Sequence, residues 1–146
     1  MPEDGPPGGR VLGLDLGAAR IGVAVSDEDR RVAVAVGTVR TGAPTDLRSI
    51  AALVRAHGVT TVVVGEPLLM SGEAGEAARH ARAFADALRA VVDVPVELFD
   101  ERLTTVEAER RLADAGVGGR RRRGVVDQVA ATVILQAYLD ARRGGG

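Results

Sequence analysis

Three valine-rich apolar stretches, Val11 to Leu16, Ile21 to Ser26 and Val32 to Val39, follow one another with only the turns Gly17-Ala18-Ala19 and Asp27-Glu28-Asp29 between them. Connections this short cannot carry a crossover, so neighbouring strands must run antiparallel, and the chain opens as a meander. That opening constrains everything after it. A sheet that starts antiparallel is not a doubly wound one, however many helix–strand alternations follow.

The pattern then changes period. Leu47, Ile50, Ala51 and Val54 recur at helical spacing ahead of Gly58, a C′ glycine. Thr61 to Gly65 is a continuous apolar run, as expected of a strand covered on both faces. A helix follows from about Gly75, with Ala77, Ala81, Phe84, Ala85, Leu88 and Val91 on one face and Arg79, Arg82, Asp86 and Arg89 on the other. Val94 to Phe99 reads as a fifth strand. Thr104 to Ala115, opened by the capping box Thr104-x-x-Glu107, reads as a third helix, and Val125 to Arg142 as a fourth. The order βββαβαβαα predicts an α/β protein with an RNase H-like fold: a five-stranded mixed sheet, three antiparallel strands followed by right-handed βα crossovers, flanked by about four helices.

At 146 residues the chain suffices for one core, and residues 10–143 are expected to form a single domain. Residues 1–9 and 144–146, rich in Pro and Gly without apolar period, read as disordered tails. No apolar run is long enough to span a membrane, and no charged-then-apolar leader is seen, so the expectation is a soluble cytoplasmic protein. There is no cysteine, which excludes thiolate catalysis and thiolate-bound metal. With only Phe84, Phe99 and Tyr138 as aromatics, a base-stacking platform is disfavoured. The net charge is −1, yet all nineteen basic residues are arginine and four stand together as Arg120, Arg121, Arg122 and Arg123.

Acids interrupt the apolar elements at three places. Asp15 lies inside Val11-Leu12-Gly13-Leu14-Asp15-Leu16-Gly17, where a central strand favours valine or isoleucine and a buried carboxylate needs compensation. Asp100 and Glu101 stand where the fifth strand ends, at the carboxyl edge where α/β sheets bind ligands. Because strand side chains alternate, only one of the two can share the face of Asp15. Asp127 falls on the stripe of Ala130, Ala131, Ile134 and Tyr138, so it should look toward the sheet. Singly, each acid also suits a turn or a first helical turn. Converging from two strands and a helix, they would hold one or two Mg²⁺ or Mn²⁺ ions suited to phosphodiester hydrolysis.

Three ordered segments carry a resemblance: Leu14-Asp15-Leu16-Gly17 with Arg20-Ile21-Gly22-Val23-Ala24, then Asp100-Glu101-Arg102-Leu103-Thr104-Thr105, then Val126-Asp127-Gln128-Val129-Ala130-Ala131. Over residues 10–140 the chain resembles the YqgF (RuvX) family. The resemblance implies an RNase H-like fold related to RuvC resolvases and a nuclease that matures the 5′ end of pre-16S ribosomal RNA in the cytoplasm. It places the family's acidic positions, catalytic and metal-binding, on Asp15, Glu101 and Asp127, with Asp100 as a further neighbour. In Gly65-Glu66-Pro67-Leu68-Leu69-Met70-Ser71-Gly72 the chain departs from the common family form at Glu66, Leu69 and Ser71.

Glu66 is expected to salt-bridge an arginine at the sheet edge rather than add a metal ligand. The Gly118 to Gly124 stretch reads as a mobile loop whose Arg120 to Arg123, with Arg102, and with Arg110 and Arg111 on the same side, would bind nucleic-acid phosphates. His57 reads as a helix C-terminal residue and His80 as surface. Alternatives stay open: a Holliday junction resolvase acting on branched DNA, which would call for a homodimer, a noncatalytic RNA-binding assembly factor, or, against the chain's length, a phosphate-binding ATPase of the actin type.

Overall fold

The computed structural model describes residues 8–104 and 120–144, with the side chains of residues 103, 120–128 and 144 outside the described set. The strands are β1 (Arg10–Leu16), β2 (Arg20–Ser26), β3 (Ala33–Arg40), β4 (Val59–Glu66) and β5 (Val96–Asp100). The helices are α1 (Thr45–Ala56), α2 (Glu76–Arg89) and α3 (Arg120–Gly144), and a 3₁₀ turn spans Glu101–Leu103.

The sheet order is β3-β2-β1-β4-β5. β1 pairs antiparallel with β2, and β2 with β3, while β1 and β4, and β4 and β5, are parallel. The meander therefore forms one half of the sheet and the crossovers build the other, which is the expected RNase H-like arrangement. Alternation along β1 divides the core. Leu12 and Leu14 join Ile21, Val23, Val62 and Val64 beneath Ile50 and Val54 of α1 and Phe84, Ala85 and Leu88 of α2. Val11, on the other parity, joins Ala24 and Val63 beneath Ala131, Leu135, Tyr138 and Leu139 of α3. The apolar run of β4 is thus covered on both faces, as its composition requires.

The helix readings hold with three adjustments. α1 ends at His57 as C-cap, followed by Gly58 at φ 62°. On α2 the buried positions are Ala78, Ala81, Phe84, Ala85 and Leu88, so Ala78 replaces Ala77 on the inner face, and Val91, past the helix end, is exposed. His80 is exposed. Third, Arg120 to Gly124 are the first residues of α3 and not a loop. Arginine is among the better helix formers, and the single Gly124 costs about 1 kcal/mol against alanine, so the run extends the helix. The helix expected from Thr104 to Ala115 lies, after Thr104, outside the described residues, as do Arg110 and Arg111. No helix among the described residues is long and apolar enough to cross a membrane.

Gly8 and Gly9, grouped with the tail by composition, are held. Arg30, at φ 59° and only 9% exposed, donates from Nε to the Gly9 carbonyl (2.8 Å) and from Nη2 to the Gly8 carbonyl (3.0 Å). The same Nη2 reaches the hydroxyls of Thr60 (3.0 Å) and Thr61 (3.2 Å), locking the start of β1 to β4.

Candidate active site

β1 carries a carboxylate one residue before its end because the fold leaves space for one. Asp15 is 1% exposed and pairs across β2 with Gly22. On its other side the parallel register runs Gly13↔Val63 and Leu14↔Val64, so the next step sets Gly65 beside Asp15. Registered neighbours share a face, and Gly13, two residues back, shares it too. Asp15 therefore stands among three glycines, on the side of the sheet covered by α3.

Glu101 reaches the same place. It is 8% exposed and begins the 3₁₀ turn at the end of β5. A Cβ built on Gly65 would meet its Oε2 at 2.8 Å and its Cδ at 3.2 Å. The carboxylate of Glu101 thus lies over Gly65, next to Asp15. Its main-chain carbonyl accepts from the Thr104 amide (3.0 Å) and hydroxyl (2.8 Å), which holds the turn closed.

Asp100 goes the other way. Phe99, one residue before it, packs toward α3 with Val63 and Ala131, so Asp100 belongs to the opposite face. Its Oδ1 accepts from the Arg102 amide (2.9 Å), capping the turn, and its Oδ2 takes the Arg102 guanidinium at 2.8 Å. The hydrogen bonds from Arg102 hold the Asp100 carboxyl below the usual carboxylate range and raise the arginine above its own. Arg102 Nη1 also donates to the Met70 carbonyl at 3.3 Å. Of the two adjacent acids, the structure brings Glu101, and not Asp100, to Asp15. Glu66, on the face of Asp100, forms an ion pair with Arg82 of α2, as anticipated.

Position 127 follows from helix register. Ala131 and Leu135 straddle Gly13, since a Cβ there would meet the Leu135 Cβ at 2.8 Å and the Ala131 carbonyl oxygen at 3.5 Å. Asp15 is two strand residues farther along, about 6.6 Å, which matches about four helical residues. The backbone of α3 near residues 127–130 therefore crosses above Asp15. The side chains of Asp127 and of Arg120 to Arg123 lie outside the described residues.

Among the described residues no three His, Cys, Asp or Glu side chains form a group able to hold a metal ion. The two carboxylates that are described nevertheless fit a hard cation: they are oxygen donors, side by side, over glycines whose missing side chains leave room above the strands. Reading from sequence missed those glycines. Glycine inside an apolar strand is a signal of close approach by another group, and Gly13, Gly22 and Gly65 all carried it.

The profile of a family described as "RuvX: Holliday junction resolvase" matches residues 9–141. A protein of Anaeromyxobacter dehalogenans named "Putative pre-16S rRNA nuclease" is 56% identical over 134 residues, covering 91% of this chain and 98% of that one. A Chloroflexus aggregans protein of the same name is 51% identical over 134 residues, covering 91% and 94%. In fold, the chain is similar to Thermus thermophilus RuvC in complex with a Holliday junction substrate, with a TM-score of 0.52 at 18% identity, covering 92% of this chain and 96% of that one. With the profile spanning both acidic motifs of the sheet edge and half the residues shared with these relatives, the chain belongs to the RuvX (YqgF) family.

Proposed function

We propose that this protein is a metal-dependent nuclease that hydrolyses phosphodiester bonds and processes the 5′ end of pre-16S ribosomal RNA in the cytoplasm. The observation that carries the reading is the convergence of Asp15 and Glu101 over Gly65, beneath the part of α3 that bears Asp127. Two adjacent buried carboxylates repel a phosphodiester, so they serve a nuclease only with a cation between them and the substrate.

Asp15, Glu101 and Asp127 are the residues that would hold Mg²⁺ or Mn²⁺, as one ion or two. Such an ion supplies an activated water and neutralises charge on the leaving oxygen. The chain's own part is positional. Asp15 is fixed by the central strand, and Glu101 by the Thr104 and Asp100 bonds to its turn. Ala130, Ile134 and Leu135 exclude water from the sheet side, where the carboxylates are most effective. We assign phosphate contact to Arg102, whose guanidinium Asp100 holds at the same edge of the sheet, and to Arg120 to Arg123 at the start of α3.

The name shared by the relatives supports ribosomal RNA as substrate. A resolvase acting on branched DNA is the second reading, favoured by the family's description and by the RuvC-like fold. Cleavage of a 5′-extended pre-16S fragment and of a four-way DNA junction, each with Mg²⁺, Mn²⁺ or EDTA, separates them. Metal-dependent cutting of the RNA, lost in Asp15→Asn, is expected. Preferential cutting of the junction would establish the resolvase, and no metal-dependent cutting of either would leave a noncatalytic RNA-binding factor.

A further inference from the structure

β4 ends at Glu66 and α2 begins at Glu76, so residues 67–75 form a loop at the carboxyl edge of the sheet, where Asp15 and Glu101 gather. The loop is held by its own bonds. The Leu68 amide donates to the Glu66 carbonyl (2.9 Å), the Leu69 amide to the Glu73 carbonyl (3.0 Å) and the Gly72 amide to the Leu69 carbonyl (2.8 Å). The last of these closes a β-turn over Leu69 to Gly72, with glycine in the fourth position at φ 92°. The Ser71 hydroxyl accepts from the Glu73 amide and donates to its carboxylate, both at 3.2 Å.

This turn holds Met70 out into solvent. It is 81% exposed, more than any other large apolar residue described. Leu69 beside it leans back over Gly75, where a Cβ would meet its Cδ2 at 3.3 Å. A lone exposed apolar side chain means little by itself, but the backbone of this one is tied to the acidic site. Arg102 Nη1 donates to the Met70 carbonyl at 3.3 Å, and a Cβ on Gly72 would stand 3.3 Å from the same nitrogen. Arg102 directly follows Glu101, and Asp100 holds its guanidinium. Met70 is thus within the reach of one arginine side chain from the turn that carries Glu101.

We infer that Met70 packs against a nucleobase of the substrate beside the cleaved bond and opens the base stack there. The inference rests on the nuclease reading and deepens it, since the arginines of that reading meet phosphates and leave the bases without a contact. A base offers a flat, polarisable face. The aromatic residues cannot meet it, because Phe84 and Tyr138 are buried and Phe99 lies edge-on against Tyr138 beneath α3. An unbranched thioether makes favourable contacts with rings, and methionine is among the side chains that proteins insert between base steps. A base drawn out of its stack by Met70 frees the adjoining phosphodiester to turn toward Asp15 and Glu101.

The test uses a 5′-extended pre-16S RNA fragment with 2-aminopurine placed, in turn, at each position flanking the mature 5′ end. Binding is followed by fluorescence in EDTA over a range of NaCl concentrations, and Mg²⁺-dependent cleavage is measured on the unlabelled fragment and on the four-way DNA junction. Wild type is compared with Met70→Ala and Met70→Leu. With wild type the fluorescence should rise at one position, as that base leaves its stack. Met70→Ala should lose the rise and bind about fivefold more weakly, the size of a thioether–ring contact. Its slope of log K against log salt should stay the same, because no phosphate contact is removed. Met70→Leu, which keeps the apolar volume, should restore the rise. Tm should be unchanged in both variants, as the side chain is exposed. A rise that persists in Met70→Ala, no rise in wild type at any position, or a loss accompanied by a Tm several degrees lower would overturn the contact. A Met70-dependent rise without cleavage of either substrate would leave the contact standing and remove the nuclease. Absence of RNA binding would remove both.

Discussion

The carboxylate of Glu101 occupies the space that a side chain at Gly65 would fill, with Oε2 2.8 Å from the place of a Cβ. The same Cβ would also stand 2.8 Å from Ile134 Cδ1 of α3. One absent methyl group therefore sets both the packing of α3 and the seat of a candidate metal ligand.

Gly65→Ala tests this directly. It should push Glu101 off the strand and lower kcat about a hundredfold, since a displacement near 1 Å has that effect on an aligned site. Stability should fall by about 1–3 kcal/mol, the usual result of overpacking. Denaturant titration and single-turnover cleavage measure the two separately. Near-normal cleavage would mean that Glu101 does not need this position.

Asp15→Asn should leave the fold intact and abolish the response to metal. In the wild type, Mg²⁺ at about 100 times its dissociation constant should add about 2.7 kcal/mol and raise Tm by roughly 5–10 °C. The variant should show no shift. An equal shift in both proteins would place the cation elsewhere.

Asp100 is read as a positioning residue, because its carboxylate caps the turn that carries Glu101. Its carboxyl lies below the ordinary value of about 3.9 through hydrogen bonding from Arg102. The contribution to stability is therefore present above that value and lost as pH falls through the lower, folded one. Carboxyl NMR should show the Asp100 titration moving up toward 3.9 in Arg102→Gln. Asp100→Asn, which keeps the cap acceptor, should retain more cleavage activity than Asp100→Ala, and equal losses would argue against a positioning role.

Replacing Arg120 to Arg123 with glutamine preserves helix propensity and removes four charges at the start of α3. RNA affinity should fall, and the salt slope should decrease by up to about 2.8, at 0.7 per phosphate contact. An identical slope would make the run a solvated helix end.

Periodicity was enough for the five strands, for α1 and α2 and for the body of α3, though not for its start at Arg120, because burial on one or both faces imposes a repeat that short turns and C′ glycines then punctuate. The antiparallel start and the crossovers were legible in the same way, and the acids Asp15, Asp100, Glu101 and Asp127 stood out as charges where apolar residues were due. Local pattern could not tell Asp100 from Glu101. The alternation of β5 decided that, by turning Phe99 toward α3 and so sending Asp100 to Arg102 and Glu101 to Asp15. Nor could it show that Gly13, Gly22 and Gly65 surround one carboxylate, that Arg30 closes the start of β1 onto β4, or that Arg102 reaches the Met70 carbonyl. Those relations join residues up to about fifty positions apart, and their distances are set by strand register and helix packing, which no local stretch of sequence contains.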